Sequence, residues 1–410
     1  MTPPVVLSLP EIPDAFLQAL AALARERFGR AAPEGRVLGA AVNHVSRKYT
    51  RDRAALMDSQ GDPTTLTARL RFFLPRDLYK LWGPLSELLA ADCVPKRRSL
   101  RVLDVGAGLG TSTLGLATFV HAHGLCESLH VTAIDSDEQA LSLMSRLVSR
   151  PCGLDLPTLA LDVLRKQLDS RASLPEGPFD VIICGLSLNE ILLPLSALER
   201  PTQGAEFLRT LCLKLSPDGV LIVVEPALRE EARALSAIRD ILVVSDGSPH
   251  VFAPCLGCAS CPMLARERDW CHERLPATLP PELSELSRVA GLRDEELTYS
   301  YLTLRTQPRD LAVLAPAGQR VYRVVGGPVI TKGKREFLLC GATHAPRLLQ
   351  LTRHRVSRGD PLDVARRGTV IAVAGETKGQ SPNVLRAGPE LCVQSLLHWE
   401  KRADAALNPS

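Results

Sequence analysis

Between residues 99 and 226 the sequence alternates between short, strongly apolar segments and longer segments with helical spacing. The apolar segments "LRVLDVG", "SLHVTAIDSD", "FDVIICGLS" and "DGVLIVVEP" have the length and composition of buried strands. Helical segments such as "TSTLGLATFVHAHG" and "GAEFLRTLCLKLS" lie between them. Strands that alternate with helices form mostly parallel sheets covered by helices on both faces. The pattern therefore predicts an α/β fold with a doubly wound, Rossmann-like sheet.

The first of these strands runs directly into a glycine-rich loop and a helix, in the sequence "VLDVGAGLGTS". Gly106, Gly108 and Gly110 permit a tight turn and close approach of a ligand, and the helix N-terminus favours an anion. Asp104 precedes the glycines, and Asp135 ends the next strand, where a carboxylate can hold ribose hydroxyls. These residues predict a nucleotide-type site. The alternative is a tight turn that binds nothing.

The glycine spacing G-x-G-x-G, with an acidic residue two positions before the first glycine, resembles the first motif of class I S-adenosylmethionine-dependent methyltransferases. The resemblance implies that Asp104 binds the ammonium of S-adenosylmethionine and that the loop amides bind its carboxylate. Asp162, in "LALDVL", lies where such proteins often bind the adenine amine. No catalytic residue is assigned. Asn189 and Glu190 lack a nucleobase N-methyltransferase signature, and Cys184 is expected to be a buried strand cysteine.

Four of the eleven cysteines, at positions 255, 258, 261 and 271, lie in "APCLGCASCPMLARERDWCHE". The N-terminus lacks a signal-peptide pattern, so we expect a cytoplasmic protein whose thiols stay reduced. Clustered thiolates select zinc, copper(I) or an iron–sulfur cluster. The spacing favours a [4Fe–4S] cluster over zinc, because zinc ribbons usually have two separated C-x2-C pairs. Cys340, which ends "REFLLC", is a further thiol that competes for the ligand positions.

The glycine loop, the Glu225–Pro226 pair and the segment "APC…CP…DWCH" together resemble one family. It comprises the methyltransferase-like proteins of the mitochondrial small ribosomal subunit and their bacterial homologues. The similarity covers roughly Arg101 to Asp360. It implies a class I methyltransferase fold, bound S-adenosylmethionine and a [4Fe–4S] cluster.

The same resemblance implies which thiols hold the cluster. Carried over by position, the ligands are Cys255, Cys261, Cys271 and Cys340. Cys258 is then an extra thiol outside the cluster. His272 is expected to be a hydrogen-bonding neighbour of the site.

Five parts are expected along the chain. Residues 1–95 form a helical N-terminal region, and 96–245 form the Rossmann-like domain that binds S-adenosylmethionine. Residues 246–297 form a Cys-rich cluster insertion, 298–386 a β-rich basic module, and 387–410 a C-terminal tail with one helical piece, "LCVQSLLHWEKR".

Positive charge is concentrated in the predicted β-rich module. Between Tyr301 and Arg386 there are 15 Lys or Arg and 5 Asp or Glu, although the whole chain has a net charge of only +4. Such an excess predicts a polyanionic partner, with RNA as the first candidate. The alternative is a solvated basic surface with no partner. No DNA partner is expected, and no apolar run is long enough to predict a membrane span.

The sequence thus predicts an iron–sulfur, methyltransferase-like protein that binds S-adenosylmethionine and acts on the small ribosomal subunit or its rRNA. It predicts either an rRNA methyltransferase or a catalytically inactive, RNA-binding assembly factor. A third possibility is a methyltransferase of a small molecule or protein, with a zinc site.

Overall fold

The computed structural model describes residues 3–52, 61–166, 174–244, 249–257, 260–292, 296–356, 359–375 and 383–402. The helices are α1 (Asp14–Phe28), α2 (Gly35–Thr50), α3 (Pro63–Ala68), α4 (Leu74–Asp77), α5 (Trp82–Ala90), α6 (Thr111–Ala122), α7 (Glu138–Val148), α8 (Leu188–Ile191), α9 (Arg200–Cys212), α10 (Arg229–Val244) and α11 (Pro281–Ala290). Among the residues described, no helix combines the length and the apolar character needed to span a bilayer.

The strands form two separate sheets. In chain order they are β1 (Val5–Leu7), β2 (Ser99–Val105), β3 (Ser128–Asp135), β4 (Thr158–Arg165), β5 (Phe179–Gly185), β6 (Leu215–Glu225), β7 (His250–Ala253), β8 (Glu273–Pro276), β9 (Glu296–Arg305), β10 (Arg320–Thr331), β11 (Lys334–Gly341), β12 (Arg347–Leu351), β13 (Val370–Gly375), β14 (Val384–Ala387) and β15 (Leu391–Trp399).

The larger sheet is the predicted doubly wound one. Its order is β4-β3-β2-β5-β6-β9-β7, and β8 pairs with β9. Strands β2 to β6 are parallel, whereas β9 runs antiparallel to β6 and β7. This order, with an antiparallel strand next to the last, is that of the class I methyltransferase fold. The predicted α/β, Rossmann-like class is confirmed, and the sheet is mixed rather than wholly parallel.

One predicted boundary is wrong. Strand β9 crosses the expected division between residues 297 and 298, and it belongs to the larger sheet, as does β7. The Cys-rich segment separates these two strands in sequence, so the last part of the α/β sheet looks like the start of another unit. The larger sheet is therefore completed only after the Cys-rich segment.

The smaller sheet has the order β1-β15-β13-β10-β11-β12-β14. It contains the β-rich sequence expected after residue 298, but it also takes in a strand from near each end of the chain. Strand β1 pairs in parallel with β15, from Val5 opposite Leu397 to Leu7 opposite Trp399. The N-terminal segment is thus held by the C-terminal one.

The expected helix "LCVQSLLHWEKR" is instead strand β15, which also pairs antiparallel with β13. Residues 395–399 are buried on both faces of the sheet, so their apolar side chains do not alternate with polar ones. A short apolar run of this kind does not distinguish a buried strand from a helix. Pairing partners distant in the sequence decide the structure here.

The predicted helical N-terminal region packs onto the larger sheet. Phe16, Leu20, Leu66 and Phe72 share one buried cluster with residues of β2 and α6. A π-helical turn, Arg69–Phe73, joins α3 to α4. Such turns change the direction in which side chains leave a helix and are frequent at functional sites. This turn brings Arg69 and Phe73 to the carboxyl edge of the sheet.

Candidate functional site

A cavity of about 680 Å³ lies at the carboxyl ends of the parallel strands. Its floor is formed by the loops that follow β2, β3, β5 and β6, and residues of α2 to α4 line its other side. Ligands of open α/β sheets bind at this edge, and pockets of several hundred Å³ hold cofactor-sized molecules. The cavity is therefore the candidate nucleotide site.

The glycine loop has the shape that the sequence predicts. Gly106, Gly108 and Gly110 have φ values of 73°, 53° and 85°, in the left-handed region that favours glycine. A Cβ atom on Gly106 would lie 2.3 Å from Cβ of Ser187, which follows β5. Only glycine fits there, and α6 begins directly after the loop at Thr111. Gly106 and Gly108 both line the cavity.

Asp104 lies beneath the loop and is fully buried. Its Oδ2 accepts a hydrogen bond of 2.7 Å from Oγ1 of Thr113, while its buried Oδ1 has no partner among the described residues. Burial raises the pKa of this carboxyl to about 7. A buried carboxyl oxygen without a donor is costly. The unpartnered Oδ1 of Asp104 is therefore a candidate acceptor for a cationic or hydrogen-bonding group of a ligand.

Asp135 ends β3 and lines the cavity, as predicted. Its Oδ2 accepts a 2.7 Å bond from the Gly108 amide, and its Oδ1 accepts a 2.8 Å bond from the Asp137 amide. Arg69 pairs with Asp137 at 2.9 Å, which places its guanidinium beside the same loop. Burial raises the pKa of Asp135, and the nearby Arg69 opposes that rise. These bonds fix the carboxylate at the edge of the cavity.

The structure does not bring Asp162 to this cavity. Asp162 lies within β4, which continues to Arg165, and so it is not at the carboxyl end of that strand. The Asp162 side chain is 66% exposed and pairs with His130 at 3.2 Å.

Cys184 is fully buried in β5, and burial raises its thiol pKa well above the usual value. Of the residues noted after β5, Glu190 lines the cavity.

Several cavity residues were missed by the sequence analysis because they come from the N-terminal helices. They carry charged and aromatic side chains: Tyr49, Arg69, Phe73, Arg76, Asp77 and Lys80. Lys80 and Asp77 are both buried, with Nζ of Lys80 3.0 Å from Oδ1 of Asp77. Burial lowers the pKa of Lys80. Charges inside the apolar pattern of "LRFFLPRDLYKLW" are the signal that could have identified Arg76, Asp77 and Lys80.

A second cavity collects the predicted cluster ligands. Cys255 follows β7, Cys261 lies six residues further along the chain, Cys271 precedes β8, and Cys340 lies on β11, and all four line this cavity. Burial raises the thiol pKa of Cys255, Cys271 and Cys340, in the last case to about 12. The neighbouring cysteines add to each rise. Three thiols from the stretch between β7 and β8 and one from β11 thus line the same cavity.

The rest of the cysteine site is described only in part. Cys258 lies outside the described residues. Among the residues that are described, no group of three or more His, Cys, Asp or Glu side chains is arranged to hold a metal ion. His272 also lines the cavity, and its ring stacks on Trp270. Burial lowers the pKa of His272 to about 4.

The segment from Cys255 to Cys271, called the cysteine segment below, is held in place by α10. Nη1 of Arg233 donates to the carbonyl oxygens of Met263, Arg266 and Asp269 at 3.0, 2.8 and 2.8 Å. The carboxylate of Asp240 accepts from the Cys261 amide at 2.9 and 3.0 Å. Hydrogen bonds within the chain therefore fix much of the described backbone of this segment.

A family model described as mitochondrial small ribosomal subunit Rsm22 matches residues 83–370 of the chain. The chain belongs to the Rsm22 family. The segment shared with Rsm22 contains the glycine loop, Asp104, Asp135 and the cysteines of the second cavity. Helices α2 to α4, which line the other side of the first cavity, precede the matched Rsm22 segment.

Solved structures similar to this Rsm22-family chain include methyltransferases of low sequence identity. An rRNA methylase from Streptococcus thermophilus is 15% identical, with coverage of 54% of this chain and 93% of the other and a TM-score of 0.28. A methyltransferase homolog from Pyrococcus horikoshii is 15% identical, with coverages of 55% and 66% and a TM-score of 0.33. An arsenic(III) S-adenosylmethionine methyltransferase from Chlamydomonas reinhardtii is 17% identical, with coverages of 57% and 72% and a TM-score of 0.28. No curated protein matches the chain.

Proposed function

We propose that this Rsm22-family protein binds S-adenosylmethionine in the cavity at the carboxyl edge of the larger sheet. The observation that carries the proposal is the glycine cradle, where a Cβ atom on Gly106 would lie 2.3 Å from Ser187. Asp135 at the cavity edge is placed for ribose hydroxyls. Asp104 lies beneath the glycine loop rather than among the residues that line the cavity, and its unpartnered Oδ1 is the acceptor that we propose for the ammonium end. When bound, the cofactor supplies an electrophilic methyl group.

The remainder of the cavity supports methyl transfer to an acceptor. Asp77, Lys80 and Glu190 line it together with the glycine loop, and the volume of about 680 Å³ is ample for a cofactor with an acceptor beside it. Asp77 and Lys80 are buried, so their charges act in a weakly screened environment. They are placed to orient a polar acceptor and to exclude bulk water.

We also propose that Cys255, Cys261, Cys271 and Cys340 hold a [4Fe–4S] cluster. Soft thiolates suit such a cluster, and these four line one cavity. When bound, the cluster supplies a rigid cross-link between β11 and the cysteine segment.

The substrate that we propose is the small ribosomal subunit or its rRNA, in line with membership of the Rsm22 family. Incubation with labelled S-adenosylmethionine and immature small subunits tests this. We expect the protein to sediment with the subunit and the label to enter rRNA. The matched control is Gly106→Arg, which should bind the subunit without transferring label. Co-sedimentation without label would identify an assembly factor instead, and absence of both would contradict the proposed partner.

The basic surface is smaller than the sequence count suggests, because some of its charges are internal. Arg335 is only 14% exposed and donates to Asp360 at 2.8 Å and to Asp363 at 2.7 Å. Lys332 is exposed in the turn between β10 and β11. Arg353 is exposed beside it, since the Thr352 amide donates to the Gly333 carbonyl at 2.9 Å. This turn is the better candidate for contact with RNA phosphates.

Replacing both Lys332 and Arg353 with glutamine should therefore flatten the salt dependence of rRNA binding. Each phosphate contact contributes about 0.7 to the slope of log affinity against log salt on single strands, so the slope should fall by about 1.4. Filter binding at several salt concentrations measures it. Arg335→Gln is the control, which should lower the free energy of unfolding by about 3 kcal/mol and leave the slope unchanged. Equal slopes in the double variant and the unmodified protein would exclude Lys332 and Arg353 as contacts to RNA phosphates.

A further inference from the structure

The cavity that holds the four cysteines is also lined by two buried arginines. Arg239 comes from α10 and its side chain is 4% exposed, while Arg323 comes from β10 and is 2% exposed. Arginine is rarely buried unless it is paired, because removing a guanidinium from water is costly. Two such groups at one cavity of thiols need a physical explanation.

Arg323 joins the cavity to the surrounding elements. Its Nη1 lies 2.8 Å from Oε1 of Glu87 on α5 and 3.4 Å from Oε1 of Glu273 on β8. Its Nε donates to the Pro254 carbonyl at 2.9 Å, next to Cys255. Its Nη2 is buried and has no hydrogen-bond partner in the described part of the chain. The protein contacts therefore leave one donor of this guanidinium unsatisfied.

Arg239 is bound to the cysteine segment itself. Its Nη1 donates to Oδ1 of Asp240 at 2.7 Å, and its Nη2 donates to the carbonyl of Gly257. Asp240 in turn accepts from the amide of Cys261. The guanidinium is thus fixed between the parts of the chain that carry Cys255 and Cys261. Its charge cannot move away from the cavity without disturbing both.

We propose that Arg239 and Arg323 are the counter-charges of an anionic metal–thiolate group held by the four cysteines. The inference rests on the proposed cluster. Four thiolates around a [4Fe–4S]²⁺ core carry a net charge of about −2. Carboxylates already pair with both guanidinium groups, so the two arginines offset that charge only in part, and the unpartnered Nη2 of Arg323 is the donor left for a sulfur of the group. Glu87, Glu273 and Asp240 hold the guanidinium groups in place. Arg239 and Arg323 are positioning and charge-balancing residues for this group.

The test compares variants that remove the charge with variants that keep it. Arg239→Gln and Arg323→Gln should lower the reduction potential of the reconstituted protein, because loss of a nearby positive charge disfavours added electrons. They should also speed the loss of visible absorbance under an iron chelator by about tenfold. Arg239→Lys and Arg323→Lys should keep the potential near that of the unmodified protein. Redox titration followed by electron paramagnetic resonance gives the potential.

Arg229→Gln is the matched control on the same helix. Arg229 is exposed at the start of α10 and is not among the residues that line the cavity, so its loss should leave the potential unchanged. If Arg323→Gln fails to fold, the two Arg239 variants decide the question. A loaded protein whose potential is the same in glutamine and lysine variants would overturn the role of the arginines alone. An unmodified protein without iron would instead overturn the proposed cluster, and the inference with it.

Discussion

Gly106→Arg should abolish binding of S-adenosylmethionine while the protein stays folded. The new Cβ atom would lie 2.3 Å from that of Ser187, and the longer side chain would fill the cavity floor. We expect affinity to fall by at least about 100-fold, which corresponds to about 2.8 kcal/mol of binding free energy. Isothermal titration calorimetry measures it.

The control for this variant is Gly124→Arg. Gly124 also has a positive φ, of 58°, but no atom lies within 4 Å of a Cβ atom placed there. Both substitutions carry the cost of a left-handed side chain, about 1–2 kcal/mol, and only Gly106→Arg blocks the cavity. Thermal unfolding should report a larger loss of stability for Gly106→Arg, because only its Cβ atom meets a neighbouring side chain. Unchanged binding by the Gly106 variant would place the cofactor elsewhere.

Single Cys→Ser substitutions at positions 255, 261, 271 and 340 should each remove the iron. Anaerobically purified protein should be brown, absorb broadly near ~400 nm and contain about four irons per chain. Each variant should fall below about one iron per chain and lose the colour, because a cubane corner has lost its thiolate. Iron analysis and absorbance measure this. Proteolysis should also be faster after residue 255, since the link between the cysteine segment and β11 is lost.

Two other cysteines serve as controls for the iron site. Cys392 is exposed on β15, so Cys392→Ser should keep the full iron content. Cys258→Ser should also keep it, as the family resemblance implies. Loss of iron with Cys258→Ser but not with Cys340→Ser would show that the ligands are the four local cysteines. A colourless protein with one zinc per chain would instead show that these cysteines bind zinc.

Local sequence was sufficient for the parts of the fold that depend on neighbouring residues. The strand, glycine loop and helix around Gly106 are contiguous, so their geometry follows from residue types that lie side by side. Asp135 was found for the same reason, since it ends the adjacent strand. Asp162 was misplaced because the length of β4 depends on pairing with β3, from Ser128 to Asp135. Spacing alone does not set the end of an edge strand.

Residues brought together from distant segments could not be predicted from pattern. Lys80 and Asp77 reach the first cavity through helix packing, and no local motif indicates where a helix face will dock. Cys340 was identified through the family resemblance, and its spacing from Cys271 carries no information about contact. Arg323 and Arg335 counted as surface charge in the composition, yet both are mostly buried. Counting charges does not separate solvated side chains from internal ion pairs.

The pairing of β1 with β15 sets an order of events during synthesis. The segment Val5–Leu7 is synthesised well before its partner, Leu397–Trp399, because almost the whole described chain lies between them. Until then the edge of β13 that pairs with β15 is also open. Unpaired strand edges template association between chains, and long-range pairing is slow. A nascent chain that terminates before β15 should therefore aggregate rather than yield a shorter working protein.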